Sequence, residues 1–181
     1  MPELPEVETI VRALREPLAG RRILRAWIRY ASLYRRGSRR VRWIEGRAIT
    51  SVSRVGKNAV LHLAPGGVMT VNLGMTGRLA VTRPEGSDGR PGGRTHLHAR
   101  LLFDNGVELR YYDPRRFGYI YITPNDDIRG ELGIGPDPFE IGRHGVQLEA
   151  VLRRKSAPIK STVTWIGFIP LPTCCRWGSR W

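Results

Sequence analysis

Cysteine is nearly absent. The 181 residues hold only Cys174 and Cys175, adjacent and close to the end. Neither a disulfide framework nor a zinc site can be built from that pair. No run of about 18 apolar residues occurs, so the sequence predicts no membrane-spanning helix. The first residues have neither a basic n-region nor an apolar h-region, which speaks against secretion and for a cytoplasmic protein. Acidic residues are few: 16 against 30 basic ones, a formal charge of +14. Lysine is scarcer still, with none between Lys57 and Lys155 and none before Lys57. From Arg12 to Arg54 stand thirteen arginines but only two carboxylates, Glu16 and Glu45. Such an imbalance points to a polyanionic partner, either nucleic acid or an anionic membrane. The plainer reading is a soluble protein that happens to be rich in arginine.

What is present is globular. A content of 41% hydrophobic and 25% charged residues at this length supports one domain with a real core, with room for an appendage. Val7, Ile10, Val11, Leu14 and Leu18 follow the i, i+3, i+4 rhythm of one buried helical face. Pro5 suits the first turn, Glu6 and Glu8 suit the positive end of the dipole, and Pro17 and Gly20 fit the close. Eight β-like runs follow, over 23–30, 47–55, 58–64, 67–74, 78–83, 96–104, 107–113 and 117–123. Asp104-Asn105-Gly106 between two of them is a tight-hairpin signal. The stretch 84–94 has loop composition. From about Asp126 to Lys160 the pattern turns helical, with 135–140 as a turn and Val146, Leu148, Val151 and Leu152 on a buried side. The expectation is an α+β, mostly β fold: a two-layer antiparallel β-sandwich of about eight strands, an N-terminal helix and a further helix near the end.

Pro5, Glu6 and Glu8 are explained by helix initiation, but Pro2 and Glu3 lie before the helix. Removal of Met1 would expose the secondary amine of Pro2. An α-amino group titrates near pH 8, about two units below lysine, so a useful fraction is nucleophilic at neutral pH. Attack by a secondary amine on a sugar C1′ or an aldehyde gives a cationic iminium, an electron sink for later elimination. Glu3 stands ready to shuttle protons beside it. His96 and His98, two apart, would share a strand face; with no third ligand evident, a metal site is not expected there.

Seven blocks occur in order: MPELPEVETI (1–10), GKNAVLHL (56–63), NLGMTGRL (72–79), THLHARL (95–101), DPRRFGYI (113–120), LGIGPDPF (132–139) and RRKSAPIKS (153–161). Together they resemble the N-terminal domain of formamidopyrimidine-DNA glycosylase, the Fpg/Nei family of bifunctional base-excision repair enzymes. The resemblance implies that Pro2 is the nucleophile, Glu3 its proton donor and acceptor, and Lys57 a lysine against DNA phosphate that assists strand cleavage. Met75, Arg115 and Phe117 would fill the gap left by a flipped nucleotide, Arg115 also meeting the orphaned base. His96 and Lys155 would contact the DNA backbone. Read without the family, Met75 and Phe117 would be core residues beside turns and Arg115 a partner of Asp113. Asn72 departs from the family, which often has histidine there.

The resemblance covers 1–161. Beyond it the family continues into a helix–two-turn–helix domain and a four-cysteine zinc finger, whereas residues 162–181 read TVTWIGFIPLPTCCRWGSRW. The expectation is an aberrant tail in place of that half, from a truncation or frameshift, and no zinc or other cofactor in this chain. The implied activity is that of a DNA glycosylase and AP lyase for oxidised purines such as 8-oxoguanine and formamidopyrimidines, acting as a monomer on double-stranded damaged DNA. The alternative is a catalytically weak or inert fragment that only binds DNA. A ribosomal-type RNA-binding protein would explain the charge but not the seven blocks.

Overall fold

A computed structural model describes residues 4–83 and 96–134. The first apolar repeat forms helix α1, Leu4–Leu18, with Leu4, Val7, Val11, Leu14 and Leu18 buried. Ile10 is only partly buried against the same core, at the margin of the stripe. Pro17 lies inside the last turn rather than beyond it. The chain turns at Gly20, whose φ of +73 is the left-handed geometry that favours glycine after a helix.

All eight expected runs are strands: β1 (Ile23–Ile28), β2 (Ala48–Val55), β3 (Asn58–Ala64), β4 (Val68–Asn72), β5 (Arg78–Thr82), β6 (Leu97–Phe103), β7 (Glu108–Tyr112) and β8 (Tyr119–Thr123). They form two antiparallel four-stranded sheets, ordered β1-β6-β7-β5 and β2-β3-β4-β8. One apolar cluster draws on both sheets and on the helix. It joins Leu61, Met69 and Ile120 to Leu101, Phe103 and Leu109, with Val7, Val11, Leu14 and Leu18. Two 3-10 turns, Ala31–Leu33 and Val41–Ile44, carry the chain from β1 to β2.

Two of the hairpins show why the turn residues are what they are. Between β2 and β3, Gly56 (φ +57) is the first of two loop residues, the place where a two-residue hairpin favours glycine. Between β6 and β7 only Gly106 takes a positive φ, +76. Phe103 N–H bonds the Val107 carbonyl at 2.9 Å and Gly106 N–H the Phe103 carbonyl at 3.0 Å. Asn105 instead accepts from Val107 N–H through its side chain, at 3.1 Å. The Asp-Asn-Gly signal is therefore a three-residue loop with a glycine bulge, not a two-residue turn.

The chain divides into two compact units, Met1–Ile128 and Arg129–Trp181. A short helix α2, Ile128–Leu132, lies at the boundary. The loop expected over 84–94, the helix expected beyond residue 140 and the tail at 162–181 lie outside the described residues.

Phe103 has no exposed surface and lies in the shared cluster. Phe103→Ala should lower unfolding free energy by about 3–5 kcal/mol, measured by urea denaturation.

Candidate active site

The turns at one end of the β2-β3-β4-β8 sheet carry most of the expected site residues that are described. The register aligns Asn58 on β3, Asn72 on β4 and Tyr119 on β8. Their side chains bond in a row, Asn58 Oδ1 accepting from Asn72 Nδ2 at 3.0 Å and from the Tyr119 hydroxyl at 3.1 Å. Asn58 Nδ2 donates back across its hairpin to the Val55 carbonyl at 3.0 Å. Three turns leave the sheets at this end: Gly56-Lys57, Leu73–Gly77 and Asp113–Gly118. They hold Lys57, Met75, Arg115 and Phe117.

Helix α1 runs antiparallel to β2, and its polar contacts give the direction. Glu8 bonds Arg54 at 3.1 Å, Arg15 Nε donates to the Val52 carbonyl at 3.2 Å, and Gly20 N–H donates to Ile49 at 2.8 Å. Later helix residues thus meet earlier strand residues, and the start of α1 lies beside the Lys57 hairpin. Arg54 fastens the two: its Nη1 donates to the Gly56 carbonyl at 2.8 Å. Glu8 also meets Arg12 at 3.0 Å and Arg15 at 3.6 Å. Burial pushes the Glu8 carboxyl up, but Arg12, Arg54 and Arg15 together hold it below its ordinary value.

Asp113 organises the other two turns. It has no exposed surface, yet its carboxylate accepts four hydrogen bonds. These come from Thr76 Oγ1 at 2.6 Å, the Tyr111 hydroxyl at 3.1 Å, Gly118 N–H at 2.9 Å and Arg115 N–H at 3.3 Å. Burial raises its pKa, and the bonds from Thr76, Gly118, Tyr111 and Arg115 outweigh that and lower it. The Tyr111 phenol is correspondingly pushed up by burial and by Asp113. Thr76 belongs to the turn that presents Met75, and Gly118 to the turn that presents Phe117. One buried anion therefore sets both.

The two turns also touch backbone to backbone. A Cβ on Gly74 would stand 2.6 Å from Gly118 N and from Phe117 C. A Cβ on Gly118 would collide with the Tyr111 hydroxyl and the Asn72 carbonyl. Gly74 N–H is held by Asn72 Oδ1 at 2.9 Å, which links this pair to the asparagine row. Arg116 takes φ +54, the sole positive φ outside glycine among the described residues. Backbone strain of this kind concentrates where surrounding contacts over-determine a functional loop.

The side chains this frame presents are exposed. Met75 is 42% and Phe117 54% accessible, so the core alternative for both fails. The Arg115 guanidinium lies 4.6 Å from the Phe117 ring centroid; only its backbone N–H meets Asp113. Lys57 is half-buried at the tip of its hairpin. His96 is exposed just before β6, whereas His98 is buried, bonding the Asp113 carbonyl oxygen through Nε2 at 2.8 Å. The expected shared face is lost because the β6–β7 register slips between Leu97 and Ala99. Pro2, Glu3 and Lys155 lie outside the described residues. Sequence reading treated Asp113 only as a partner for Arg115 and missed Asn58, Thr76 and Tyr111. The available signals were an aspartate immediately before proline and two asparagines at matched ends of neighbouring strands.

Residues 1–120 match the family model of the formamidopyrimidine-DNA glycosylase N-terminal domain. The chain belongs to this family. The formamidopyrimidine-DNA glycosylase of Solibacter usitatus is 40% identical over 163 residues, 89% of this chain and 57% of the relative. The crystal structure of MutM (Fpg) from Thermus thermophilus aligns with a TM-score of 0.70 at 30% identity, covering 92% of this chain and 58% of that one. A Lactococcus lactis Fpg, bound non-covalently to DNA containing an AP site, gives 0.72 at 23% identity, with 92% and 64% covered; that likeness is one of fold. The Fpg-family chain spans between 57% and 59% of the first three curated relatives it matches. Among its described residues no group of three His, Cys, Asp or Glu side chains is placed to hold a metal.

Replacing Asp113 tests the frame. Its folded pKa lies below the unfolded value, so the stability it contributes is present above about pH 4 and lost as pH falls further. Asp113→Asn should cost about 3 kcal/mol at pH 7 and flatten the acid limb of the stability profile, read from urea melts between pH 2.5 and 7.

Proposed function

We propose that this chain is the catalytic half of a DNA glycosylase with AP-lyase activity, directed at oxidised purines in double-stranded DNA. The observation that carries this reading is spatial. The start of α1, the Lys57 hairpin and the two turns bearing Met75, Arg115 and Phe117 converge on one end of one sheet, on a protein of charge +14. The first 120 residues match the family's N-terminal domain, and relatives named formamidopyrimidine-DNA glycosylase match most of the chain.

In this reading Met1 is removed and the Pro2 nitrogen attacks C1′ of the damaged nucleotide. The bond from C1′ to the base nitrogen breaks, and the base leaves with its electron pair and takes up the proton that the Pro2 nitrogen releases. Glu3 protonates the ring oxygen as the sugar opens, leaving an iminium between Pro2 and C1′ that favours elimination of the 3′ phosphate. Lys57 neutralises phosphate beside the lesion. Met75 and Phe117 replace lost stacking once the nucleotide is extruded, and Arg115, stacked on Phe117, offers its donor fork to the orphaned base. His96 and Lys155 hold the DNA backbone. The protein acts in the cytoplasm as a monomer and needs no cofactor for these steps. Residues 1–161 form the catalytic domain, and 162–181 stand where the family's second half would begin.

A second reading is favoured by coverage. The chain matches between 57% and 59% of the first three curated relatives, and its charge of +14 suits a weak or inert fragment that only binds DNA.

Borohydride trapping of the 181-residue chain on duplexes carrying an abasic site or 8-oxoguanine decides between them. An adduct that Pro2→Gly abolishes is the expected result. Adduct on abasic DNA alone would keep the lyase and remove base recognition. No adduct from chain shown to be folded would overturn the enzyme reading. Phe117→Ala should lower adduct yield on 8-oxoguanine duplex about tenfold, as stacking on one base contributes about 1–3 kcal/mol, with a smaller loss at the abasic site.

A further inference from the structure

Arginines crowd a second place, outside the turns just described. Residues 35–42 read RRGSRRVR, five arginines in eight positions. Arg36, Arg39, Arg40 and Arg42 are exposed and Arg35 is half-buried. Among the described residues none of the five guanidinium groups is ion-paired with a carboxylate.

The segment is a built strap, not a loose loop. It covers the free edge of β8: Arg35 N–H bonds the Ile120 carbonyl at 2.9 Å and Arg39 N–H the Ile122 carbonyl at 2.8 Å. Ser38 Oγ accepts from Ile122 N–H at 2.9 Å, and the Tyr34 hydroxyl accepts from Val41 N–H at 3.1 Å. Two residues of β8, about 7 Å of strand, thus anchor the stretch from Arg35 to Arg39. The Arg35 guanidinium stands over Tyr119 and Tyr121, 5.5 and 5.7 Å from their centroids, and Arg40 stands 5.7 Å from that of Tyr34. Aromatic faces order these planar groups while leaving their N–H edges for an anion. The strand it borders begins at Tyr119, directly after Phe117 and Gly118.

Four exposed like charges on so short an edge repel one another, and the core gains nothing from them. A lipid surface would be met more naturally by apolar side chains beside the charges, and the described strap presents tyrosine rings already covered by arginine. Arginine forks match phosphate oxygens. We propose that the 35–42 strap is a second phosphate-binding track, which grips the sugar–phosphate backbone of duplex DNA flanking the wedge turns. The proposal rests on the DNA-directed reading above and extends its footprint along the β8 edge.

The test is the salt dependence of duplex binding. Each phosphate contact contributes about 0.9 to the slope of log K against log salt. The fourfold variant Arg36→Gln/Arg39→Gln/Arg40→Gln/Arg42→Gln should lose about 2–4 units of slope, equally on abasic and undamaged duplex. Borohydride adduct at saturating DNA and low salt should be unchanged. If the fourfold change unfolds the chain, Arg36→Gln/Arg39→Gln should lose about 1–2 units. An unchanged slope in a folded variant overturns the proposal and makes the strap a solvated face. Loss of binding to phosphatidylglycerol vesicles without a change in DNA slope also overturns it. If neither wild type nor variant gives adduct, the enzyme reading fails, while the slope still decides the strap.

Discussion

A single buried carboxylate governs the working end of this protein. Asp113 is placed by β7 at the point where the chain must turn toward β8, and its four donors come from three places: Thr76 from the β4–β5 turn, Tyr111 from β7, Gly118 and Arg115 from its own loop. A buried anion with fewer partners would be driven to protonate or to leave the interior. Four donors make the charge tolerable, and the same four lock two turns in register. The exposed Met75 and Phe117 are therefore apolar side chains on rigid mounts, which is the condition under which an unpaid apolar surface acts as a tool.

The second fastening is more ordinary in chemistry but equally specific in place. Glu8 meets Arg54 beside the first turns of α1, and Arg54 also holds the carbonyl of Gly56. The pair is largely buried, with 5% of the Arg54 and 21% of the Glu8 side chain exposed, and the cost of desolvating both charges offsets much of their attraction. Its effect is local: the helix start and the Lys57 hairpin keep one spacing. The glutamates at the start of the chain thus divide their work. Glu6 matches the helix dipole, while Glu8 is turned sideways into an arginine cluster.

Much of the fold was legible in the sequence because strand-forming runs and turn residues alternate so regularly. All eight runs became strands, since each holds enough Val, Ile, Leu and Tyr to bury one face. Helix α1 was legible from its apolar rhythm. What escaped was the work of polar residues whose partners are distant in sequence. Thr76 and Asp113 are 37 positions apart, and Asn58 and Tyr119 are 61 apart; no local pattern carries that pairing. The bulge near Leu97 escaped for a similar reason, because strict alternation would have put His96 and His98 together. Motif resemblance, by contrast, reached the exposed Met75 and Phe117, for which burial-based reasoning pointed the wrong way.

The close approach of Gly74 to Phe117 and Gly118 has an evolutionary consequence. Neither turn has room to accept a side chain at its point of contact, nor to shift alone without breaking bonds to the same aspartate. Variation in one turn is therefore conditional on the other. A lineage can exchange the exposed side chains of Met75 or Phe117 without disturbing this contact, while the stems beneath them inherit as a unit.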